Sequence, residues 1–279
     1  MMVERRGWGH YAMHAVLIAG VLLVCFPIYL SFVASTVTQD QVVQPPLPLL
    51  PGPHLLDNYG RALFDGGGTP VLTMLINSAI MALGIALGKI VISILSAYAI
   101  VYFRFPGRMF FFWAIFMTLM LPVEVRIVPT YEVVASLGML NSYSGLILPL
   151  IASATATFLF RQFYLTVPEE LLEAARVDGA GPMRFFRDIL LPLSVTNIAA
   201  LFVILFIYGW NQYLWPLLIT TEPDMKTIVM GLQLMIPQAD DYGDWPATMA
   251  TAMLGVIPPV IVVVLMQRLF VKGLIDSEK

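Results

Sequence analysis

"EAARVDGAGPMRFFRDILLP", from Glu173 to Pro192, is a charged, glycine-broken stretch in the middle of a chain that is otherwise mostly apolar. Its ends are set by local chemistry. Just upstream, Thr166 and Glu169 have the spacing of a capping box, in which hydroxyl and carboxylate satisfy free backbone N–H groups at a helix start, and Pro168 is tolerated in a first turn. "PEELLEAARVD" then supplies strong helix formers, with Leu171, Ala174 and Ala175 on one side and Glu169, Glu173 and Arg176 toward another. Gly179 falls where a left-handed C-terminal cap needs a residue without Cβ. Pro182 can open a second short helix, whose Met183, Phe186 and Ile189 share a face before Leu191-Pro192. The stretch is therefore predicted to be a helix–turn–helix, too short to be an enzyme domain. On these residues alone two readings stand: an amphipathic hairpin on the lipid surface with Arg184 and Arg187 toward headgroups, or a docking element for a partner. Glu169, Glu170 and Glu173 weigh against the first, because they would face an anionic leaflet.

The surroundings of the stretch define its class. Of 279 residues, 59% are hydrophobic and 12% charged, and the mean hydropathy is +0.83, whereas a soluble domain carries about 25% charged residues. Runs suitable for membrane helices of about 20 residues lie near Ala15 to Ser35, Val71 to Tyr102, Met109 to Val123, Tyr143 to Phe160, Ile189 to Thr221 and Trp245 to Gln267, six in all. The third is short and its limits are the least defined. Arg5 and Arg6 before the run from Ala15 to Val33 give it the look of a signal peptide, but its length and the further spans favour a retained helix. Eleven of the 15 Lys and Arg residues fall on the side of the N-terminus, so the positive-inside rule puts both termini in the cytoplasm and makes 161–188 the longest cytoplasmic loop. Outer segments are acidic by contrast, with Asp240, Asp241 and Asp244 clustered before the sixth span. The segment from Thr36 to Pro70, with "QPPLPLLPGPH" and "DGGGTP", reads as an irregular outer loop. Neither an internal repeat nor a pair of matching broken helices is visible, which weakens the inverted-repeat architecture of secondary transporters.

Several chemistries are excluded. The single Cys25 builds neither a disulfide framework nor a thiolate metal site, and His10, His14 and His54 lack metal-ligand spacing. "GIALGK", Gly84 to Lys89, misplaces the glycine of a phosphate loop and is followed by Ile90 where Ser or Thr is required. No nucleophile and base stand as a pair, so no catalytic residue is assigned, and nucleic acid is not an expected partner.

Glu173-Ala174-Ala175, three residues, Gly179, nine residues, Ile189-x-Leu191-Pro192 matches at seven positions the "EAA" signature of the membrane subunits of bacterial ATP-binding-cassette importers of type I. "NSAIMALGIALGKIVISILSAYAI", "LPVEVRIVPTY" and "YGWNQYLWPLLIT" resemble the carbohydrate-importer branch of that family, and "FRFPGRMFFFW" and "GLIDSEK" its glycerol-phosphate members. The resemblance covers nearly the whole chain. It implies an all-α membrane protein of six transmembrane helices, with an N-terminal helix and periplasmic loop over 1–70, a five-helix permease core over 71–270 containing the coupling loop 161–192, and a cytoplasmic tail over 271–279. It further implies a permease subunit in the bacterial inner membrane that forms half of a pathway for sn-glycerol 3-phosphate or glycerophosphodiesters. A sugar or oligosaccharide is the alternative cargo, and a self-sufficient secondary carrier the more remote alternative. The implied partners are a homologous permease, two copies of a cytoplasmic ATP-binding subunit that bind ATP and Mg, an extracytoplasmic substrate-binding protein, and membrane lipid. No cofactor belongs to this chain itself. Glu173, Ala174, Ala175, Gly179, Ile189, Leu191 and Pro192 would form the coupling element, with Glu173 helping to hold the joint to the ATPase. The outer loop from Glu222 to Asp244 would contribute to contact with the binding protein.

Polar groups within spans are costly and often functional. Lys89 either faces a pathway, where a cation suits a phosphate-bearing cargo, or snorkels or pairs with a neighbouring helix. Asn77, Asn211 and Gln212 either line a wet route or bond between helices, and Trp210, Tyr213 and Trp215 form an aromatic belt or a binding wall. Asn211 is the preferred pathway candidate, with Lys89, Asn77 and Trp215 beside it. Arg126 and Glu124 are expected near the outer interface, where a mutual ion pair is the simplest reading.

Overall fold

The computed structural model describes residues 8–65, 68–120, 123–236 and 243–276, and among these the secondary structure is entirely helical. The clustered Asp240 and Asp241 lie outside the described residues, as do Arg5, Arg6 and Lys279. Two compact units are present, one of residues 1–72 and 232–256 and the other of 73–231 and 257–279.

The first unit holds α1 (Trp8–Ala34), α2 (Gln39–Val43) and α3 (Leu55–Phe64). Within α1, Tyr11–Ala34 is long and apolar enough to cross a membrane, and most of it packs against nothing else among the described residues. The segment that follows is a hydrogen-bonded knot where an irregular loop is expected from its proline and glycine content. Asn58, fully buried, donates to the carbonyls of Ser35 and Val37 at 2.9 Å each. Gly52 donates to Thr36 Oγ1 at 2.8 Å, and a Cβ on Gly52 would meet the Thr36 carbonyl at 2.7 Å. Proline and glycine here permit close backbone approach, and one buried amide satisfies two carbonyls that water cannot reach.

In the second unit, α4 (Val71–Tyr102) is the long central helix, with half of its span buried. Gly84 and Gly88 sit where Ile147 and Ile151 press on the backbone, and a Cβ on Gly84 would lie 2.6 Å from Ile147 Cδ1. Small residues four apart let helices approach closely in membranes, which is the use of the "GIALGK" glycines. The third apolar run folds as α5 (Arg108–Met117) and a 3-10 turn over Thr118–Met120, shorter than a full span. It is followed by α6 (Val123–Ser136).

The fourth and fifth runs are each broken, contrary to the expectation of unbroken spans. α7 (Tyr143–Ile147), continued by the 3-10 turn Leu148–Leu150, and α8 (Ala154–Thr166) meet at 48°. The break is chemically marked, since the Ser153 hydroxyl caps α8 by accepting from Ala156 N–H at 3.2 Å. Next come α9 (Glu169–Val177), α10 (Pro182–Phe185), α11 (Leu191–Leu193) and α12 (Val195–Trp210). The pieces Pro182–Leu193 and Val195–Trp210 meet at 70°. The fifth run was expected to reach Thr221, but α12 stops at Trp210 and Leu214–Ile219 forms a separate helix, α13. Pro216 explains the restart, because it has no N–H to give and is tolerated only in a first helical turn. α14 (Ile228–Met235) and α15 (Trp245–Asp276) complete the chain. Tyr11–Ala34, Val71–Tyr102 and Trp245–Gln267 are membrane-length, and the two bent pairs bring the candidate spans to five, with Arg108–Met117 as a shorter apolar helix. The core of the second unit gathers Met81, Ile85, Val134, Leu146, Trp215 and Ile219.

Candidate functional site

The helix–turn–helix forms, and its turn is built as the sequence requires. Gly179 has φ +73°, in the left-handed region. Gly179 N–H donates to Arg176 O at 3.0 Å and Ala180 N–H to Ala175 O at 2.8 Å, the paired bonds of a Schellman cap. Pro182 opens α10 after Gly181. The start of α9 differs from expectation. Thr166 closes α8 and donates to Phe163 O at 2.7 Å, and Pro168 is the N-cap of α9, so the Thr166–Glu169 capping box does not form. Val167 and Pro168 are both extended, which ends one helix before the other begins. Glu169 and Glu170 still favour the N-terminus through the helix dipole.

Burial also revises the second helix. Met183 is exposed and Ile189 only half-buried, while Phe185, Phe186 and Leu190 are buried. The shift arises because Phe186–Leu190 is a π-turn in which Leu191 N–H reaches Phe186 O. Pro192 offers no N–H for the α ladder, and widening the turn accommodates that gap.

What grips the hairpin is aromatic. Tyr98 Oη donates to Pro182 O at 2.7 Å, with ring centroids 4.9 Å from Phe186, and Tyr102 stacks edge-on to Phe185 at 5.3 Å. Tyr102 also meets Tyr164 at 6.1 Å, so the end of α4, the end of α8 and α10 share one ring cluster. Each such pair contributes about 0.5–1.5 kcal/mol beyond area burial. A polar cavity of about 520 Å³ beside the cluster is lined by Tyr102, Arg104, Leu172, Arg176 and Phe185 among others. Away from the clamp, Glu173 and Ala174 are exposed while Ala175 is buried. Glu173 makes no ion pair or hydrogen bond among the described residues. Arg187 pairs with Asp188 at 2.6 Å on the surface, an arrangement that stabilises little. Tyr98 and Tyr102 were missed in the sequence; their signal was two tyrosines four apart at the end of an apolar run.

The proposed pathway residues separate into two groups. Asn77, 2% exposed, donates to the carbonyls of Asp224 and Lys226 at 2.7 and 2.9 Å and accepts from Tyr143 Oη at 2.7 Å. Its amide is spent bracing the chain before α14. Asn211 caps the end of α12, exposed, with no side-chain hydrogen bond among the described residues. It lines a cavity of about 360 Å³ together with Arg126, Thr130, Tyr208, Gln212 and Trp215. Trp215 is buried and donates to Gly145 O at 3.1 Å, so it anchors that wall. Lys89, 7% exposed, holds its Nζ 3.8 Å from the centroid of the Tyr208 ring. Asp244, the described member of the outer acidic cluster, bonds Arg61 at 3.2 Å and caps α15 through Ala247 N–H at 3.0 Å. Among the described residues no three His, Cys, Asp or Glu side chains stand together as a metal site.

The described residues are entirely helical, with apolar spans and a glycine-turned hairpin that leaves an acidic residue exposed, which defines a helical membrane protein. Residues 89–276 match the family of binding-protein-dependent transport system inner membrane components, and the chain belongs to that family. It is 61% identical, over the full length of both chains, to the sn-glycerol-3-phosphate transport system permease protein UgpE of Brucella melitensis, 60% to that of Agrobacterium fabrum and 61% to that of Yersinia pestis. The crystal structure of a bacterial ABC transporter involved in the import of the acidic polysaccharide alginate has a chain of the same fold, with a TM-score of 0.80 at 20% identity, over 96% of this chain and 99% of that one. The fold is thus that of an ABC importer permease.

Proposed function

We propose that this chain is one of two permease subunits of an ATP-driven importer of sn-glycerol 3-phosphate, with glycerophosphodiesters as further cargo. The observation that carries this reading is the full-length identity of about 60% to permeases named for that cargo. Its partners are a homologous permease, two copies of a cytoplasmic ATPase subunit that hold ATP and Mg, and an extracytoplasmic binding protein. Both termini face the cytoplasm, by the distribution of Lys and Arg.

The hairpin takes power from the ATPase. The Schellman cap and the tyrosine clamp support this reading, because a push applied to Glu173 and Ala174 reaches α12 only if the turn between them does not yield. Glu173 holds the joint by charge, while Gly179, Ile189, Leu191 and Pro192 shape the turn and the bend behind it. Asn211 lines the pathway, Trp215 fixes its wall, Lys89 acts behind Tyr208, and Asn77 braces the fold. The outer segment from Glu222 to Asp244 meets the binding protein.

The test is ligand-stimulated ATP hydrolysis by the assembled complex across a panel of polyol phosphates and sugars. Stimulation by sn-glycerol 3-phosphate is expected; strong stimulation by a disaccharide and none by sn-glycerol 3-phosphate overturns the cargo. Uptake that persists when the ATPase subunit is left out overturns the transporter class.

A further inference from the structure

The cavity beside Asn211 has an uneven charge. Arg126 lines it, and none of its lining residues is acidic. Sequence spacing suggested that Arg126 pairs with Glu124, two residues before it on α6. The Glu124 side chain lies outside the described residues. Thr130, four residues on, shares the Arg126 face and lines the same cavity, and no carboxylate among the described residues is within 4 Å of the Arg126 guanidinium.

A second cation stands behind the wall. Lys89 is buried, and its recorded contact is the face of Tyr208, itself a lining residue. A ring quadrupole holds an ammonium but does not neutralise it, and a buried charge ordinarily has an opposite partner. Arg126 lines the cavity and Lys89 touches the lining residue Tyr208, so both cations border the same space. Two cations at one cavity, with no acidic residue among its described lining, gain when a dianion arrives. The Asn211 amide, unengaged among the described residues, adds a neutral donor at the same place, and about 360 Å³ falls within the range of small-ligand sites, roughly 300–1,000 Å³.

We propose that this cavity is a phosphate-binding subsite on the translocation pathway, in which Arg126 makes the direct, forked contact to the phosphate oxygens of the cargo, Asn211 donates beside it, and Lys89 supplies field from behind Tyr208. Arginine suits this task because its planar fork matches phosphate. The inference rests on the cargo proposed above and adds the residue that distinguishes a phosphorylated polyol from a neutral sugar.

The test uses the complete complex with its binding protein in proteoliposomes, with uptake of sn-glycerol 3-phosphate and ATP hydrolysis measured in parallel. Arg126→Gln is expected to lower uptake at saturating substrate by about tenfold or more, since hydrogen bonds to charged groups carry such factors, while stimulated ATP hydrolysis persists, so that more ATP is consumed per molecule moved. Arg126→Lys, which keeps the charge but loses the fork, is expected to lower uptake less than Arg126→Gln does, again with stimulated ATP hydrolysis persisting. Unchanged uptake in Arg126→Gln overturns the subsite. So does an equal loss of uptake and ATP hydrolysis in both variants, which marks a structural role. A defect that varies with the anionic-lipid content of the vesicles, and not with the cargo, assigns the anion to a lipid headgroup and overturns the cargo contact. Wild-type complex that moves a neutral sugar and no sn-glycerol 3-phosphate shows instead that the cargo reading itself has failed.

Discussion

The glycine-turned hairpin and the Asn211 cavity are both polar regions of an apolar chain, yet they are constructed differently. The hairpin is made from consecutive residues, and each of its devices, the Schellman glycine, the proline start and the proline-widened turn, acts within a few positions of itself. The cavity draws Arg126 from α6 and Tyr208 and Asn211 from α12 and its end, with Lys89 of α4 against the Tyr208 ring. Local construction gives stiffness that survives single changes at the surface; assembled construction gives a chemical environment that one change can remove.

The largest expected effect lies at Glu173, an exposed acid of the hairpin. Glu173→Lys should leave the protein inserted but cut ATP-driven uptake by more than about thirtyfold, because a misplaced charge in a partly desolvated joint costs several kcal/mol. Normal uptake in reconstituted complexes would remove Glu173 from the joint. Asn77→Ala should destabilise the protein by about 2–3 kcal/mol, since it strands two carbonyls and a hydroxyl, and should be seen as a lower melting temperature. If uptake falls with stability intact, Asn77 belongs to the cavity and the division drawn here is wrong. Gly179→Ala places a Cβ in the left-handed region at a cost of about 1–2 kcal/mol; hydrogen exchange at Ala180 N–H should quicken, and unchanged exchange would mean that the cap does not limit the hairpin. The smallest effect belongs to Tyr98→Phe, which keeps the ring and loses one hydrogen bond to Pro182 O, about 0.5–1.5 kcal/mol. It should loosen residues 182–190 in exchange measurements without altering the cavity.

Legibility in the sequence followed the same division. Glycine at 179 and proline at 182 have few conformations open to them, so their places could be read directly. The Thr166–Glu169 box could not, because Pro168 competes for the same position and an extended residue before proline is the stronger rule. The buried face over Pro182–Leu190 moved by one residue for a reason visible only in the backbone: periodicity assumes an α ladder, and Pro192 removes one rung. The outer segment was misread as irregular, since composition reports flexible residues and not the buried Asn58 that ties them. Asn77, Asn211 and Lys89 were all recognisable as polar groups in spans, but which of them faces a cavity depends on helices far apart in the chain. Arg126 was read with Glu124, whose side chain lies outside the described residues; that it lines the same cavity as Asn211 depends on helices far apart in the chain.

The bend between Leu193 and Val195 makes the hairpin and the cavity two ends of one crank. At about 1.5 Å per residue the arm from Pro182 is about 18 Å long and the arm to Trp210 about 24 Å, set at 70°. A swing of about 10° around that elbow would carry the Asn211 end through about 4 Å, more than the width of a hydrogen bond. A small change of that elbow angle is therefore enough to move Asn211, relative to the Pro182 end, by more than the length of a hydrogen bond.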